Sequence, residues 1–386
     1  MKLSSLCSVI TKGTTPTTLG YEFTQEGINF VKIENITQDS KIVQDRLSFI
    51  STECNEKLKR SQLMEGDILF SIAGAIGRCA IVEEDILPAN TNQALAIIRL
   101  RDDICVNRDY LLSYLKSSYV TNQYSKMTQG VAQLNISLTN IGDFDVYLPP
   151  LPIQQKIANI LDRTSNLIEK RKAQIAKLDL LVKSQFIEMF GDPMTNPKGW
   201  KKESLGRTCI ITTGNTPPRA NIEFYGNFIE WIKTDNIQSS DSTLTQASEY
   251  LSEKGLERGR FVEANSILMT CIAGSLKSIG NVAVTDRRVA FNQQINALTP
   301  RAYSSLFLYY LLKLMKAEVH GSVNMMLKGI LSKGTLSEIK AIVPPTDLQN
   351  RFAEFVQATD KSKSKIQRSL DSLELLRKSL MQQYFC

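Results

Sequence analysis

Apolar and polar positions along the chain follow two rhythms, and the pair of rhythms occurs twice. Short strand-like runs bounded by turn residues lie at Ile28 to Ile33, Asp67 to Ile72 and Ala94 to Leu100. Comparable runs return at Phe228 to Lys233, Ser266 to Ile272 and Ile295 to Leu298. A helix-like stretch follows each set, Tyr110 to Lys116 in the first half and Leu306 to Lys316 in the second. The mixture predicts an α+β globular domain in each half, with a strand order that the pattern leaves open.

The second rhythm is helical and long. From Ile153 to Phe190 there is neither Gly nor Pro. Pro149-Pro150-Leu151-Pro152 stands ahead of it, where proline is tolerated at the start of a helix but not in its interior. Gly191-Asp192-Pro193 behind it supplies a stop. Leu161, Ile168, Ile175, Val182 and Met189 recur every seven residues, the spacing of a coiled-coil seam. At 1.5 Å per residue the rod is about 57 Å long. A second such helix runs from Leu348 to about Phe385, with a seam of Phe352, Ile366, Leu373 and Leu380 interrupted by Thr359. Lys170, Arg171 and Lys172 in one rod, and Lys361, Lys363 and Lys365 in the other, are expected off the seam.

The duplication is visible residue by residue. Gly13, Thr15 and Pro16 return as Gly214, Thr216 and Pro217, an offset of 201. At the same offset Val31, Lys32, Glu34, Asn35 and Ile36 meet Ile232, Lys233, Asp235, Asn236 and Ile237. Ile72-Ala73-Gly74 returns as Ile272-Ala273-Gly274 and Asn92-Gln93 as Asn292-Gln293, offset 200. Pro149, Pro150, Ile153, Gln154 and Lys156 match Pro344, Pro345, Leu348, Gln349 and Arg351 at offset 195, which holds to Phe190 and Phe385. Two like halves favour two-fold symmetry, and each one-sided rod needs a partner for its seam. The expected fold is α+β, with two pseudo-symmetric globular domains joined by two long antiparallel helices that form a coiled coil. The expected boundaries are 1–148 for the first domain, 149–192 for the first helix, 193–345 for the second domain and 346–386 for the second helix.

Composition narrows the function only modestly. A net charge of +7 is compatible with a polyanionic partner, but residues 1–150 carry 14 basic against 17 acidic side chains. If that part binds DNA, its positive charge must be gathered on one face. No apolar run reaches the roughly 18 residues that span a bilayer, so no membrane role is expected. The seven cysteines are scattered singly, without metal-type spacing and odd in number, which suggests a reducing, cytoplasmic setting.

Catalytic chemistry is hard to find. The one histidine, His320, lies in a polar stretch with no Ser or Cys motif around it, so a structural role is expected. There is no phosphate-binding G-x-x-x-x-G-K-[ST] loop, and no G-x-G-x-x-G follows a strand. Gly74-Ala75-Ile76-Gly77 and its counterpart at Gly274 to Gly280 read as tight turns. Pro149-Pro150 and Pro344-Pro345 lack the preceding Asn or Asp of amino-group DNA methyltransferases. No metal and no cofactor is expected. A self-contained nuclease or methyltransferase is one rival reading. A coiled-coil assembly scaffold with protein-binding end domains is the other.

Pro149 to Gln155, Phe190-Gly191-Asp192-Pro193, and Asn196-Pro197-Lys198-Gly199-Trp200 opening the second repeat together resemble the specificity subunits of type I restriction–modification systems. The Gly-x-Thr-Pro turns at Gly13 and Gly214 and the later Asn-Gln pairs are similar to that family as well. One departure bears on a capping contact: the family often has Glu-Gln at the helix start, where this chain has Gln154-Gln155 and Gln349-Asn350. The resemblance implies two target-recognition domains, each reading half of a bipartite, asymmetric site on double-stranded DNA, with the helices setting the unread gap. It also implies two adenine-methyltransferase subunits docked on the helices and domains, and separate restriction and translocase subunits.

If the chain reads DNA, the repeat sorts the candidates. Residues shared by both halves cannot alone specify two different half-sites. Asn92, Gln93, Asn292 and Gln293 are therefore expected in structural or phosphate roles, although amides can bond adenine edges. Lys32 and Lys233 fit phosphate positioning, and equally a solvated charge at a strand edge. Base readers are expected in the unmatched loops. In the first half these are Lys12, Thr14, Arg78, Lys126, Gln129, Gln133 and Asn135, and in the second Asn215, Arg219, Lys277, Ser278, Lys328 and Lys333.

Overall fold

The protein is seen here as a computed structural model that describes residues 1–127, 135–238, 242–323 and 329–385. It forms two compact units, Met1–Ala173 with Gln367–Cys386, and Gln174–Ile366. The division passes through the middle of both long helices, Leu151–Phe190 and Thr346–Phe385. Each unit thus holds one globular domain, one half of the first helix and one half of the second.

In the first unit a four-stranded antiparallel sheet runs in the order Cys7–Lys12, Leu95–Leu100, Ile68–Ser71, Cys79–Ile81. Its central strands are mostly apolar, with Ser71 and Arg99 near their ends, because both faces are covered. Successive side chains in a strand point to opposite faces. Ile68 and Phe70 accordingly join one core with Tyr110 and Leu111 of the Arg108–Leu115 helix, while Leu69 joins another with Val31, Ile36 and Ile97. That second core lies under a smaller sheet, Ser48–Ile50, Ile28–Val31, Ala89–Thr91, whose last two strands are parallel.

The second unit repeats this order. Cys209–Thr213, Ile295–Pro300, Ile267–Thr270 and Val282–Val284 form the antiparallel sheet. Tyr250–Leu251, Tyr225–Ile232 and Val289–Phe291 form the smaller one, again with a parallel last pair, and Phe261–Val262 adds an edge strand. Ile267 and Met269 face one core and Leu268 the other, as their counterparts do. The lobes share one topology.

A pair of glutamines ties each globular domain to its helix. Gln154 is buried; its Oε1 accepts the Asn107 backbone N–H at 2.9 Å and its Nε2 donates to the Pro149 carbonyl at 2.8 Å. Asn107 in turn caps the Arg108–Leu115 helix by accepting the Tyr110 N–H at 2.8 Å. Gln349 repeats the arrangement, accepting the Ser304 N–H at 2.9 Å and donating to Pro344 at 2.9 Å, with Ser304 as the cap of the Ser305–Leu314 helix. An amide suffices at this position because it offers both the acceptor and the donor the joint requires, so the glutamine departure leaves the contact intact. At the far end of the first helix Gly191, at φ 78°, reverses the chain. Lys198 and Trp200 then bond the terminal carbonyls of Met189 and Phe190.

Within each unit the two helix segments run antiparallel. In the first, Lys172 pairs with Glu374 at 3.4 Å, while Leu161 shares a core with Leu380 and Phe385. In the second, Asp179 pairs with Lys363 at 2.8 Å, while Phe186 and Phe190 pack on Phe352. Leu161, Ile168, Val182 and Phe352 are buried; Ile175, Ile366, Leu373 and Leu380 are half-buried. The expected seam holds only one of the two positions that each heptad contributes. The second position of the first helix includes Thr164, whose match at offset 195 is Thr359, on the seven-residue line of Phe352 and Ile366; both threonines are buried and each bonds the carbonyl four residues back. Thr359 is thus a repeat-matched seam residue, not an interruption. Arg171 and Lys363, expected off the seam, are half-buried, and the Lys363 ammonium pairs with Asp179.

Candidate nucleic-acid interface

In both units the shared polar residues emerge at one rim because of strand direction. Val31 and Thr91 are partners in the parallel pair, so Lys32 and Asn92-Gln93, the next residues on each strand, leave the sheet side by side. Ile232 and Phe291 place Lys233 and Asn292-Gln293 in the same relation. The carboxyl ends of parallel strands are where binding loops of open sheets gather.

The Gly-x-Thr-Pro turn closes on this rim twice. Thr15 Oγ1 donates to Gln93 Oε1, and Thr216 Oγ1 to Gln293 Oε1. The glycines serve close approach: a Cβ on Gly13 would lie 1.9 Å from the Thr91 carbonyl oxygen, and one on Gly214 2.1 Å from that of Asn292. Gly74 instead occupies a left-handed φ of 67°. Nothing in the structure explains why position 274 is glycine.

Asn92 Oδ1 accepts the Ala94 N–H and Asn292 Oδ1 the Gln294 N–H, both at about 3 Å, so each holds its own turn. Asn35 and Asn236, also shared, accept the N–H groups of Lys32 and Lys233 at 2.7 and 3.0 Å. Gln93 and Gln293 remain exposed beyond their threonine contacts. The Lys32 ammonium sits 4.0 Å above the Phe23 ring.

Lys12 is exposed at the end of its strand, Thr14 half-buried in the turn, and Lys126 exposed near the end of the Ser118–Met127 helix. Arg78 is half-buried and donates to the Ile36 carbonyl at 3.2 Å, bringing the 72–78 loop against the turn after Lys32. Asn135 bridges to Ala73 of that loop. In the second unit Asn215 is spent on scaffold: its side chain donates to the Arg258 carbonyl and accepts the Arg260 N–H. Lys277 is exposed, Ser278 half-buried, and Lys333 exposed at the start of the Lys333–Glu338 helix. Gln129, Gln133 and Lys328 lie outside the described residues.

Arg219 and Lys233 converge on a residue the sequence reading did not single out. Glu249 takes the Arg219 guanidinium at 2.7 Å and the Lys233 ammonium on its other oxygen. The Lys233 hydrogen bond first, and then the Arg219 ion pair, hold its carboxyl below the usual glutamate range. No motif marks Glu249. Only its place beside Trp231, whose backbone N–H its carbonyl accepts at 3.0 Å at the end of the pairing of Tyr225–Ile232 with Tyr250–Leu251, brings it there.

His320 Nε2 lies 2.9 Å from the Ile279 carbonyl, a structural position. Among the described residues no group of His, Cys, Asp and Glu could hold a metal ion, and no helix is long and apolar enough to cross a membrane.

Fold and rims together describe a duplicated α+β binding protein, with one polar rim in each of two like lobes. Residues 1–178 and 197–375 each match the family described as the type I restriction modification DNA specificity domain. The chain belongs to that family. It is a non-catalytic specificity subunit of a type I restriction–modification system, and its globular domains recognise DNA targets. It is 23% identical over 376 residues to the putative type I restriction enzyme MjaX specificity subunit of Methanocaldococcus jannaschii, covering 92% of this chain and 85% of that one. Over 185 residues it is 28% identical to the EcoBI specificity subunit of Escherichia coli, covering 47% and 38%. Two solved structures share the fold. One is a chain from a study of complex assembly and conformational transition of the type I R-M system, with a TM-score of 0.61, 19% identity and coverage of 100% and 96%. The other is the S subunit of the M. genitalium type I system, with a TM-score of 0.59, 16% identity and coverage of 99% and 94%.

Proposed function

We propose that each rim reads one half of a bipartite, asymmetric double-stranded DNA site, and that the long helices set the unread gap between the halves. The observation that carries this reading is the repetition of one rim scaffold with different polar side chains around it. Lys32 and Lys233 leave equivalent strand ends, yet one lies over Phe23 and the other against Glu249. A common scaffold explains common backbone positioning, and divergent surroundings explain two different half-sites. In this reading the domains run over 1–148 and 193–345, and the helical segments over 149–192 and 346–386. Base contacts come from Lys12, Thr14, Arg78, Lys126, Asn135, Arg219, Lys277, Ser278 and Lys333, together with Gln129, Gln133 and Lys328.

The partners follow from the same reading: two adenine-methyltransferase subunits and, separately, restriction and translocase subunits, all working in the cytoplasm. Leu167, Leu180, Leu181, Leu375 and Leu376 are exposed on the long helices, apolar surface of the kind that partner subunits cover.

Selection from a random DNA library, using the chain together with its methyltransferase partner, tests the proposal. Retention of a two-part sequence, weakening as salt rises, is expected. Binding without sequence preference would refute it and favour an assembly scaffold. Methylation or cleavage of DNA by the purified chain alone would refute the division of labour.

A further inference from the structure

The second unit carries a device that the first lacks. Arg219 sits on an aromatic platform, its guanidinium 4.7 Å from the Tyr225 ring centre and 5.0 Å from that of Trp231. The platform is anchored to the rim turn: the Tyr225 hydroxyl donates to the Pro217 carbonyl at 2.7 Å and Trp231 Nε1 to the Asn215 carbonyl at 3.3 Å. Glu249 closes the arrangement from the side, holding Arg219 and Lys233 together. About half of the Arg219 side chain remains open to solvent.

Strand register identifies the equivalent positions in the first unit. Glu230 pairs with Tyr250 and Asn29 with Phe49, both at the offset of 201. Glu249 therefore corresponds to Ser48, Arg219 to Thr18 and Trp231 to Phe30. The first unit has neither the carboxylate nor the arginine. The device is thus confined to one unit, in a region where the two halves diverge.

One carboxylate against two cations leaves the group net positive, so it still attracts DNA. An arginine serving only a phosphate gains nothing from an acidic neighbour, which lowers its attraction for the backbone. An arginine reading a base needs a fixed fork, because both of its N–H groups must meet two acceptors at once. A carboxylate at one side and aromatic rings beneath supply that fixity and leave the opposite guanidinium edge free.

We propose that Arg219 reads a guanine in the half-site of the second domain, bonding its O6 and N7, and that Glu249 is its positioning residue. This rests on the DNA-reading function proposed above. The test measures base preference at every position of both half-sites, with the chain in complex with its methyltransferase partner. Arg219→Lys keeps the charge and loses the fork, so discrimination for one guanine should fall about ten- to hundredfold. The other positions, and the whole half-site of the first domain, should be unchanged. Glu249→Gln should relax the same position while strengthening salt-dependent binding to unrelated DNA, and Glu249→Asp should recover part of the preference. A uniform loss across all positions in Arg219→Lys would mark a phosphate contact and overturn the proposal. So would unchanged preference in both variants. Unchanged hydrogen exchange of the Ile267–Thr270 strand shows in each case that the altered domain is folded. Absence of any sequence preference in the unaltered chain would instead defeat the underlying reading.

Discussion

Asp67 and Arg99 show how far a repeat can drift while keeping its scaffold. Asp67 is buried and receives Arg99 through two bonds of 2.7 Å across adjacent strands, raising the arginine's affinity for its proton. At the corresponding place in the second unit, Ser266 and Thr299 share one hydroxyl bond at 2.9 Å. The first solution isolates a charge when broken; the second does not. Arg99→Ala should therefore destabilise the first domain by about 2–4 kcal/mol, since Asp67 is left without its counter-charge. Asp67→Ser combined with Arg99→Thr installs the other half's pair and should cost less than Arg99→Ala alone. Hydrogen exchange of the Ile68–Ser71 strand measures both, and a double variant as unstable as the single one would contradict this account.

At the scale of elements, most of the framework was legible beforehand. The strand-like run Asp67 to Ile72 contains the observed strand Ile68–Ser71, and the helix expected from Ile153 begins two residues earlier at Leu151. Periodicity located these because burial of one face, or of both, is written into the spacing of apolar residues. The seam was only half legible. Seven-residue recurrence picks out one position per heptad, whereas packing also uses Thr164, Thr359, Arg171 and Lys363, whose polarity hides them from an apolar pattern. The structure also changes how the spacer is best lengthened. The pairings Lys172 with Glu374 and Asp179 with Lys363 each lie within one unit, so an insertion in one helix alone would break such a register. Matched seven-residue insertions after Ala173 and after Ile366 fall between the units. Each adds about 10 Å of helix, equal to about three base pairs. The recognised site should keep both halves and gain a longer gap by methylome sequencing, and an unchanged gap would count against the spacer role.

For the molecule as a whole, the informative fact is that two lobes share one strand order while differing around the rim. Replacing residues 1–148 with the first domain of another family member should change one half of the methylated site and leave the other as it was. The Gln154 joint to Asn107 must be retained across the junction, because it fixes the domain on its helix. A change in both halves would show that the lobes do not read independently.

The amino-acid sequence by itself determined the duplication, the α+β character of each half, and the position and length of both long helices. All of these are set by linear spacing of apolar and helix-breaking residues, which survives in a string of letters. The tertiary structure decided what depends on residues distant in the chain. It put Lys32 beside Asn92-Gln93 through a parallel strand pair, and it showed that Gly13 and Gly214 are glycines for want of space. Glu249 was invisible beforehand because its partners lie 30 and 16 residues away, and no local pattern records which strands will become neighbours.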